Sequence, residues 1–367
     1  MELTIEQAVD LGYATMCAYA KDSDRLEMTF AVTNYAPVNE LFTKDKVVKQ
    51  GGDMVKGWIT LSDTNNGKHV ALWEEETTNV VNTDEEIIVN WTHYITNMAY
   101  NRIELGMNAG QGDIQVYDYL NGKRKNMFRE SAANLQAALF ASPTSSSDKK
   151  NPHGIPSWLS QGTDNSEGGF TGYSARYNDG SGTPYNIGGI ASSSSSKARW
   201  ASYYADHQGN LGDNLLNLID GAILSTHFIP PVVPEAIAKE TGISAANFRI
   251  FTNKKIILNL KSLLRKQDDL FASELTKLGS TVSINGIPFV YVDQLDTANT
   301  STYGTDPVIG CNSEYFHPVV LAANNFVIGK PYPLNHYNHN ILVVPMDLTY
   351  AYVCSNRQLC GWLINEQ

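Results

Sequence analysis

No stretch of this chain is apolar over the roughly 18 residues that a membrane helix needs, which argues against a membrane partner. The N-terminus, MELTIEQAVDLGYATM, has early acids and neither a basic region nor an apolar core of signal length, which predicts synthesis in a cytoplasm. Cysteine is scarce. The 4 present, Cys17, Cys311, Cys354 and Cys360, lie at spacings that match no zinc or redox motif and predict free, buried thiols. Positive charge is in deficit too: 27 Lys and Arg face 38 Asp and Glu, for a net charge of −11. That balance excludes a protein whose affinity comes from neutralising phosphates, so contacts with any nearby nucleic acid are expected to be weak and non-specific.

Catalytic signatures are missing as well. There is no G-x-S-x-G elbow, no H-E-x-x-H pair and no G-x-x-x-x-G-K-[ST] phosphate loop, so neither an enzyme nor a cofactor is expected. His336 and His339 stand three apart in an Asn-flanked loop and read as a polar surface, with no metal site. Glu74, Glu75 and Glu76 alternate faces if extended and cannot converge on one ion. The 6 Trp and 19 Tyr are spread along the whole chain, which fits core and subunit contacts better than one carbohydrate site.

What the sequence does contain is a folded, β-rich composition, 42% hydrophobic and 10% aromatic, organised around one long helical stretch, Gly112 to Phe140. There Val116, Leu120, Met127, Leu135 and Ala138/Leu139 recur at helical spacing, with Lys123, Arg124, Lys125, Arg129 and Glu130 mostly between them. Gly122 costs such a helix roughly 1 kcal/mol against alanine and allows a bend or an early break. It is a scaffold element without catalytic groups.

Around it the chain divides by pattern. Residues 1–42 read as an arm, with a short helix capped at Thr4 and little independent order beyond it. Residues 43–81 read as a long hairpin: Met54–Leu61, which carries Trp58, and His69–Trp73 flank a turn at Asn66-Gly67. An isolated ribbon of that kind is marginal in water, so it is expected to rest on a neighbouring chain. Residues 85–105 alternate as a half-buried strand, with Ile87, Val89, Trp91, His93 and Ile95 on one face. Residues 142–199 are rich in Gly, Ser, Asn and Pro and read as ordered loop or flexible connector with little core of its own. From 209 a helix built on Leu211, Leu215, Leu218, Ile219 and Ile223 begins, capped by Asp213 or Asn210. A strand at Phe248–Phe251 follows, then a helix over 254–266 capped by Asn253 with Ile257, Leu260, Leu263 and Leu264 inward, then a hairpin turning at Asn285-Gly286. The segment 200–308 is thus an α+β subdomain, and 315–364 returns as strands beside the first strand and the long helix.

This order of parts resembles the major capsid proteins of tailed bacteriophages with the Hong Kong 97-type fold. Three local segments support it: Gly154-Ile155-Pro156-Ser157-Trp158-Leu159 after the long helix, Gly188-Gly189-Ile190 followed by Arg199-Trp200, and Gly286-Ile287-Pro288. The resemblance implies an α+β capsid fold: an N-arm at 1–42, an extended E-loop at 43–81, and a peripheral domain at 82–199 and 309–367 with its spine helix at 112–140. An axial domain is inserted at 200–308. It further implies self-assembly into hexamers and pentamers of an icosahedral head around double-stranded DNA, with a portal protein, a possible separate scaffolding protein and decoration proteins as partners. No long leader precedes the arm, so a fused scaffolding domain is not expected. The same fold serves encapsulin-like compartments that hold cargo enzymes, and a glycan-binding or glycan-cleaving β-protein is a reading from another class. The candidate structural and assembly residues are Trp58, Asn66, Gly67, Trp73, Gly122, Leu135, Gly188, Gly189, Trp200, Asn285 and Gly286.

Overall fold

A computed structural model describes residues 37–38, 41–42, 45–62, 66–73, 80, 82–109, 113–159, 166–171, 175–191, 197, 199–226, 248–267, 282–285, 287–296, 304–334 and 338–366. The chain folds as two compact units. The first comprises the described residues of Met1–Asp53, Trp91–Leu139 and Pro318–Ala351, and the second those of Met54–Asn90, Phe140–His317 and Tyr352–Gln367. The expected helix at Thr4, Cys17, the Glu74–Glu76 run, His336, the side chain of His339 and Gly286 all lie outside the described residues.

In the first unit the periodic stretch forms a helix over Asp113–Leu139, 27 residues and about 40 Å at ~1.5 Å per residue. It continues unbroken through Gly122, so the early break that glycine allows does not occur. Leu120, Met127, Leu135 and Leu139 are buried as the spacing predicts, and Phe128, Ser131, Ala132 and Gln136 widen the inward stripe. Ser131 fits there because its hydroxyl donates to the Met127 carbonyl at 2.8 Å. A shorter helix, Arg102–Ala109, precedes it and sinks Leu105 into the same core. That core also holds Met98, Tyr100, Leu342, Val344 and Met346, contributed by a six-stranded sheet. The sheet is built on the strand Asn338–Cys354, to which Thr92–Asn101 pairs antiparallel from Ile341↔Asn101 to Tyr350↔Thr92. Phe42 closes one part of the unit, its ring set edge-on to Phe326 at 6.3 Å and Tyr350 at 5.8 Å.

The single strand expected over 85–105 is instead two strands, Asp84–Asn90 and Thr92–Asn101, in different sheets, followed by helix from Arg102. The buried set changes parity across Trp91: Ile87 and Val89 are buried before it, Thr92, Thr96, Met98 and Tyr100 after it, and Ile95 is exposed. Trp91 marks the break, its indole N–H donating to the Gly52 carbonyl at 2.8 Å. A one-residue phase change exchanges the two faces of a strand, which is why continuous alternation is the wrong reading here.

The second unit carries a seven-stranded sheet in the order Ser283–Ile284, Ile287–Tyr291, Phe248–Thr252, Thr305–Asn312, Gly361–Glu366, Ser202–Asp206, Gly169–Thr171. The helices Asp213–Thr226 and Lys254–Gln267 share one core on it through Leu215, Leu218, Ile219, Ala222, Ile256 and Leu260. Asn253 caps the second helix as expected, accepting from the Ile256 amide at 3.0 Å. Its inward face is set by Ile256 and Leu260, with Ile257 only half-buried, a correction of the helical phase. Gly361–Glu366 and Thr305–Asn312 pair with each other in this sheet, so the last strand departs from the expected grouping of 309–367 with the long helix. Gly310 lies under the Trp362 indole, where a Cβ would stand 2.3 Å from the ring, so only glycine lets the strands meet there.

Arg357 lies at the centre of this unit with no exposed surface. Its Nε donates to the Trp158 carbonyl at 2.9 Å and its Nη1 to the Trp200 carbonyl at 2.7 Å, while the guanidinium sits 5.5 Å from the Trp200 ring centroid. Burial lowers its pKa to about 10. The two indoles meet edge-on at 6.3 Å, and Asn356 caps the short turn Arg357–Cys360. The Arg357→Ala variant leaves two buried acceptors unpaired and is expected to lose roughly 2–6 kcal/mol of stability, read as a lower denaturation midpoint in guanidinium chloride. An unchanged midpoint would contradict the placement.

Candidate functional site

The hairpin is present with a different second strand. Met54–Thr60 pairs antiparallel with Asp84–Asn90, from Met54↔Asn90 to Thr60↔Asp84, and His69–Trp73 forms no ladder. Asn66 and Gly67 are exposed within the segment joining the strands and are not a two-residue turn between them. The non-local pairing wins because Asp84–Asn90 supplies what His69–Trp73 does not. Val55 meets Val89 across the ladder with both buried, Lys56 Nζ reaches Glu86 at 3.1 Å, and Thr60 Oγ1 donates to Asp84 at 2.7 Å.

One side of this ribbon is anchored and the other is bare. Ile87 packs on Gly188, where an added Cβ would lie 3.0 Å from its Cγ2 and φ is +67°, so the glycine serves both the turn and the close approach. Gly189 follows at φ +79° and is open to solvent. Trp200, fully buried, donates its indole N–H to the Ile187 carbonyl at 3.3 Å, and Lys197 pairs with Glu85 at 2.7 Å. On the bare side Trp58 is 76% exposed, and in the joining segment Leu72 is 87%, Trp73 94% and Val80 96% exposed. Trp73 has φ +74°, a conformation uncommon for a bulky side chain. The ribbon and the described part of its joining segment thus expose several large apolar side chains.

The remaining candidates divide between core and surface. Leu135 is fully buried on the long helix and Gly122 is exposed on it, with nothing near its would-be Cβ. Asn285 forms the Ile284–Ile287 turn at φ +51°, its amide donating to Asp220 at 3.1 Å. Gly188 and Trp200 are brought to the base of the ribbon that carries Trp58. Gly122, Leu135 and Asn285 take no part in that surface. Cys311, Cys354 and Cys360 are buried free thiols as expected, but they meet: Cys360 hydrogen-bonds both others, Cys311 foremost, and its pKa is raised well above the usual value. Among the described residues no group of His, Cys, Asp and Glu is arranged to hold a metal ion.

Sequence reasoning missed how the Gly/Ser-rich segment is ordered. Asp148 gathers a loop by accepting from the Thr144 amide and hydroxyl and from the Lys150 and Asn151 amides. Burial works against its charge, yet these bonds hold its pKa well below the carboxylate range. Asp179 gathers a second turn through the Ser181 and Gly182 amides. Tyr177 stacks on Tyr185 at 4.1 Å, and His153 Nδ1 lies 3.0 Å from the Tyr185 hydroxyl. The Asp-x-x-Asn and Asp-x-Ser-Gly spacings, local side-chain-to-backbone turns, were the available signal.

Neither a family model nor a curated protein matches this chain by sequence. Solved structures do match by shape. The capsid asymmetric unit of cyanophage A-1(L) is 11% identical over 90% of this chain and 92% of its own, with a TM-score of 0.54. The capsid of a native GTA particle is 12% identical over 87% and 86% with a TM-score of 0.46, and the capsid of Myoviridae phage XM1 10% over 89% and 92% with 0.45. The first of these establishes the fold: α+β, of the Hong Kong 97-like capsid type.

His153 supplies a pH test of the ordered segment. Burial lowers its pKa to about 4 from 6.5, the Asp148 charge opposing, so the unfolded chain binds the additional proton between those values. Stability from this group is complete above pH 6.5 and is lost as pH falls towards 4. In urea titrations from pH 7 to 5 the decline is expected to be shallower in His153→Gln. An equally steep decline in the variant would assign the slope to other groups.

Proposed function

We propose that this chain is a major capsid protein, assembling with itself into the hexamers and pentamers of an icosahedral phage head that encloses double-stranded DNA. The observation that carries the reading is the fold shared with the cyanophage A-1(L) capsid over 90% of this chain. The ribbon supports it independently. The ribbon exposes Trp58 and its joining segment Leu72 and Trp73, groups that a neighbouring copy in a shell would bury.

Under this reading the hairpin is the E-loop, Asp113–Leu139 the spine helix, residues 1–42 the N-arm and 200–308 the axial domain. The role is structural and non-enzymatic. The protein resides in the virion and assembles in the host bacterial cytoplasm together with other head proteins, a portal protein among them. A net charge of −11 keeps the subunit from adhering to the DNA it surrounds.

Electron microscopy of the purified protein, alone and co-expressed with phage head proteins, is expected to show closed shells; small oligomers under every condition would overturn the proposal. Leu135→Asp places a carboxylate in a fully buried site and is expected to abolish shells, whereas Lys125→Ala, at an exposed position, leaves them intact. Normal particles from the Leu135 variant would refute the role of the helix.

A further inference from the structure

Two helices of the second unit present exposed stripes of opposite charge. On Asp213–Thr226 the exposed residues Asp213, Asn217, Asp220 and Leu224 follow one another at intervals of three and four, so they share a face, and this helix has no basic residue. On Lys254–Gln267 the exposed residues are Lys254, Lys255 and Leu258, with Lys261 and Ser262 half-exposed one turn on. This helix adds Arg265 and Lys266 and has no acid. Leu224 is 74% and Leu258 56% exposed, although the opposite faces of both helices are fully used in their shared core. Beside Leu258 the surface opens into a groove of about 730 Å³. The two acids that border it are already engaged. Asp306 accepts from Asn253 and Lys255, and Asp296 from the Lys254 amide and the Tyr291 hydroxyl.

We infer that the Asp213–Leu224 stripe of one copy docks in the Lys254–Leu258 groove of a second copy of this chain. The contact rests on the shell reading and specifies it. Two different patches meet, so the interface is heterologous: each copy gives its acidic helix to one neighbour and receives another on its basic helix, and in the hexamers and pentamers of that reading the contacts run around the ring. Setting Leu224 against Leu258 brings Asp220 opposite Lys254 if the helices run parallel and opposite Lys261 or Ser262 if antiparallel. Burial of the two leucines supplies affinity, and the charges select the partner face and exclude acid-on-acid pairing.

The test is a charge exchange in the full-length protein, scored as shell yield by sedimentation and electron microscopy. Asp220→Lys is expected to lower the yield by about tenfold or more, the change expected from about 1.4 kcal/mol per contact. Adding Lys254→Glu and Lys261→Glu to the same chain is expected to restore it. Circular dichroism and thermal melting establish that each variant is folded. Leu224→Glu, at a mostly exposed position, gives the same loss and stands in if the charge variants do not fold. Wild-type yield from the acidic-helix variants, or folded exchange variants that stay unassembled, overturns this contact while leaving the shell reading in place. A wild-type protein that forms no shells overturns both.

Discussion

The buried guanidinium of Arg357 is the constraint on which the second unit depends. Taking a cation out of water costs several kcal/mol even after the protein relaxes around it, so the surroundings must return that energy in well-formed bonds. They do so through the carbonyls of Trp158 and Trp200, 199 and 157 residues away in sequence, and through the face of the Trp200 ring. A planar fork can bond two separated acceptors in fixed directions, which a lysine cannot. The consequence reaches the ribbon: Trp200, held by Arg357, bonds the Ile187 carbonyl, the next residue is the Gly188 on which Ile87 rests, and Ile87 belongs to the strand paired with Trp58. One buried charge thus orients the base of the surface that carries the exposed tryptophans.

The same chain of contacts explains how the described residues of a segment rich in Gly and Ser hold a conformation. Its apolar content is too small for a core of its own, and its residues gain the most chain entropy on unfolding. Order is instead assembled from short-range devices, the Asp148 and Asp179 turns and the Tyr177–Tyr185 stack, and from two long-range ties at Trp158 and Trp200. Replacing a large core by a few directional bonds makes this region sensitive to the state of His153, which is stable inside only as the neutral ring.

Local rules recovered local features. The long helix, the Asn253 cap, the turn at Asn285 and the buried thiols all follow from spacing and side-chain chemistry within a dozen residues. What escaped is decided at a distance. Asn66-Gly67 is a strong turn pair, yet a turn only proposes a partner strand, and His69–Trp73 has no acid to pair with Lys56, whereas Asp84–Asn90 brings Glu86. Trp91 sits at a change of sheet that a continuous alternating pattern conceals. Arg357 gives no sequence signal at all, because one arginine in a short polar turn reads as surface until its two acceptors are brought to it. At 11% identity the fold shared with the A-1(L) capsid is carried by pattern more than by particular residues.

A subunit that exposes Trp58, Leu72, Trp73 and Val80 leaves unburied apolar groups that would each contribute roughly 1.5–3 kcal/mol in a core. For a protein that works alone this is an aggregation hazard. For one that closes into a shell it is the driving force for assembly, held in check until a correctly shaped neighbour arrives. The check is electrostatic. At a net charge of −11, like copies repel at long range, and the proposed docking sets an acidic face against a basic one at short range. In the proposed shell, apolar groups on the ribbon and opposed charges on the helices do different work: the helices set which faces meet, and the ribbon adds buried area once they have.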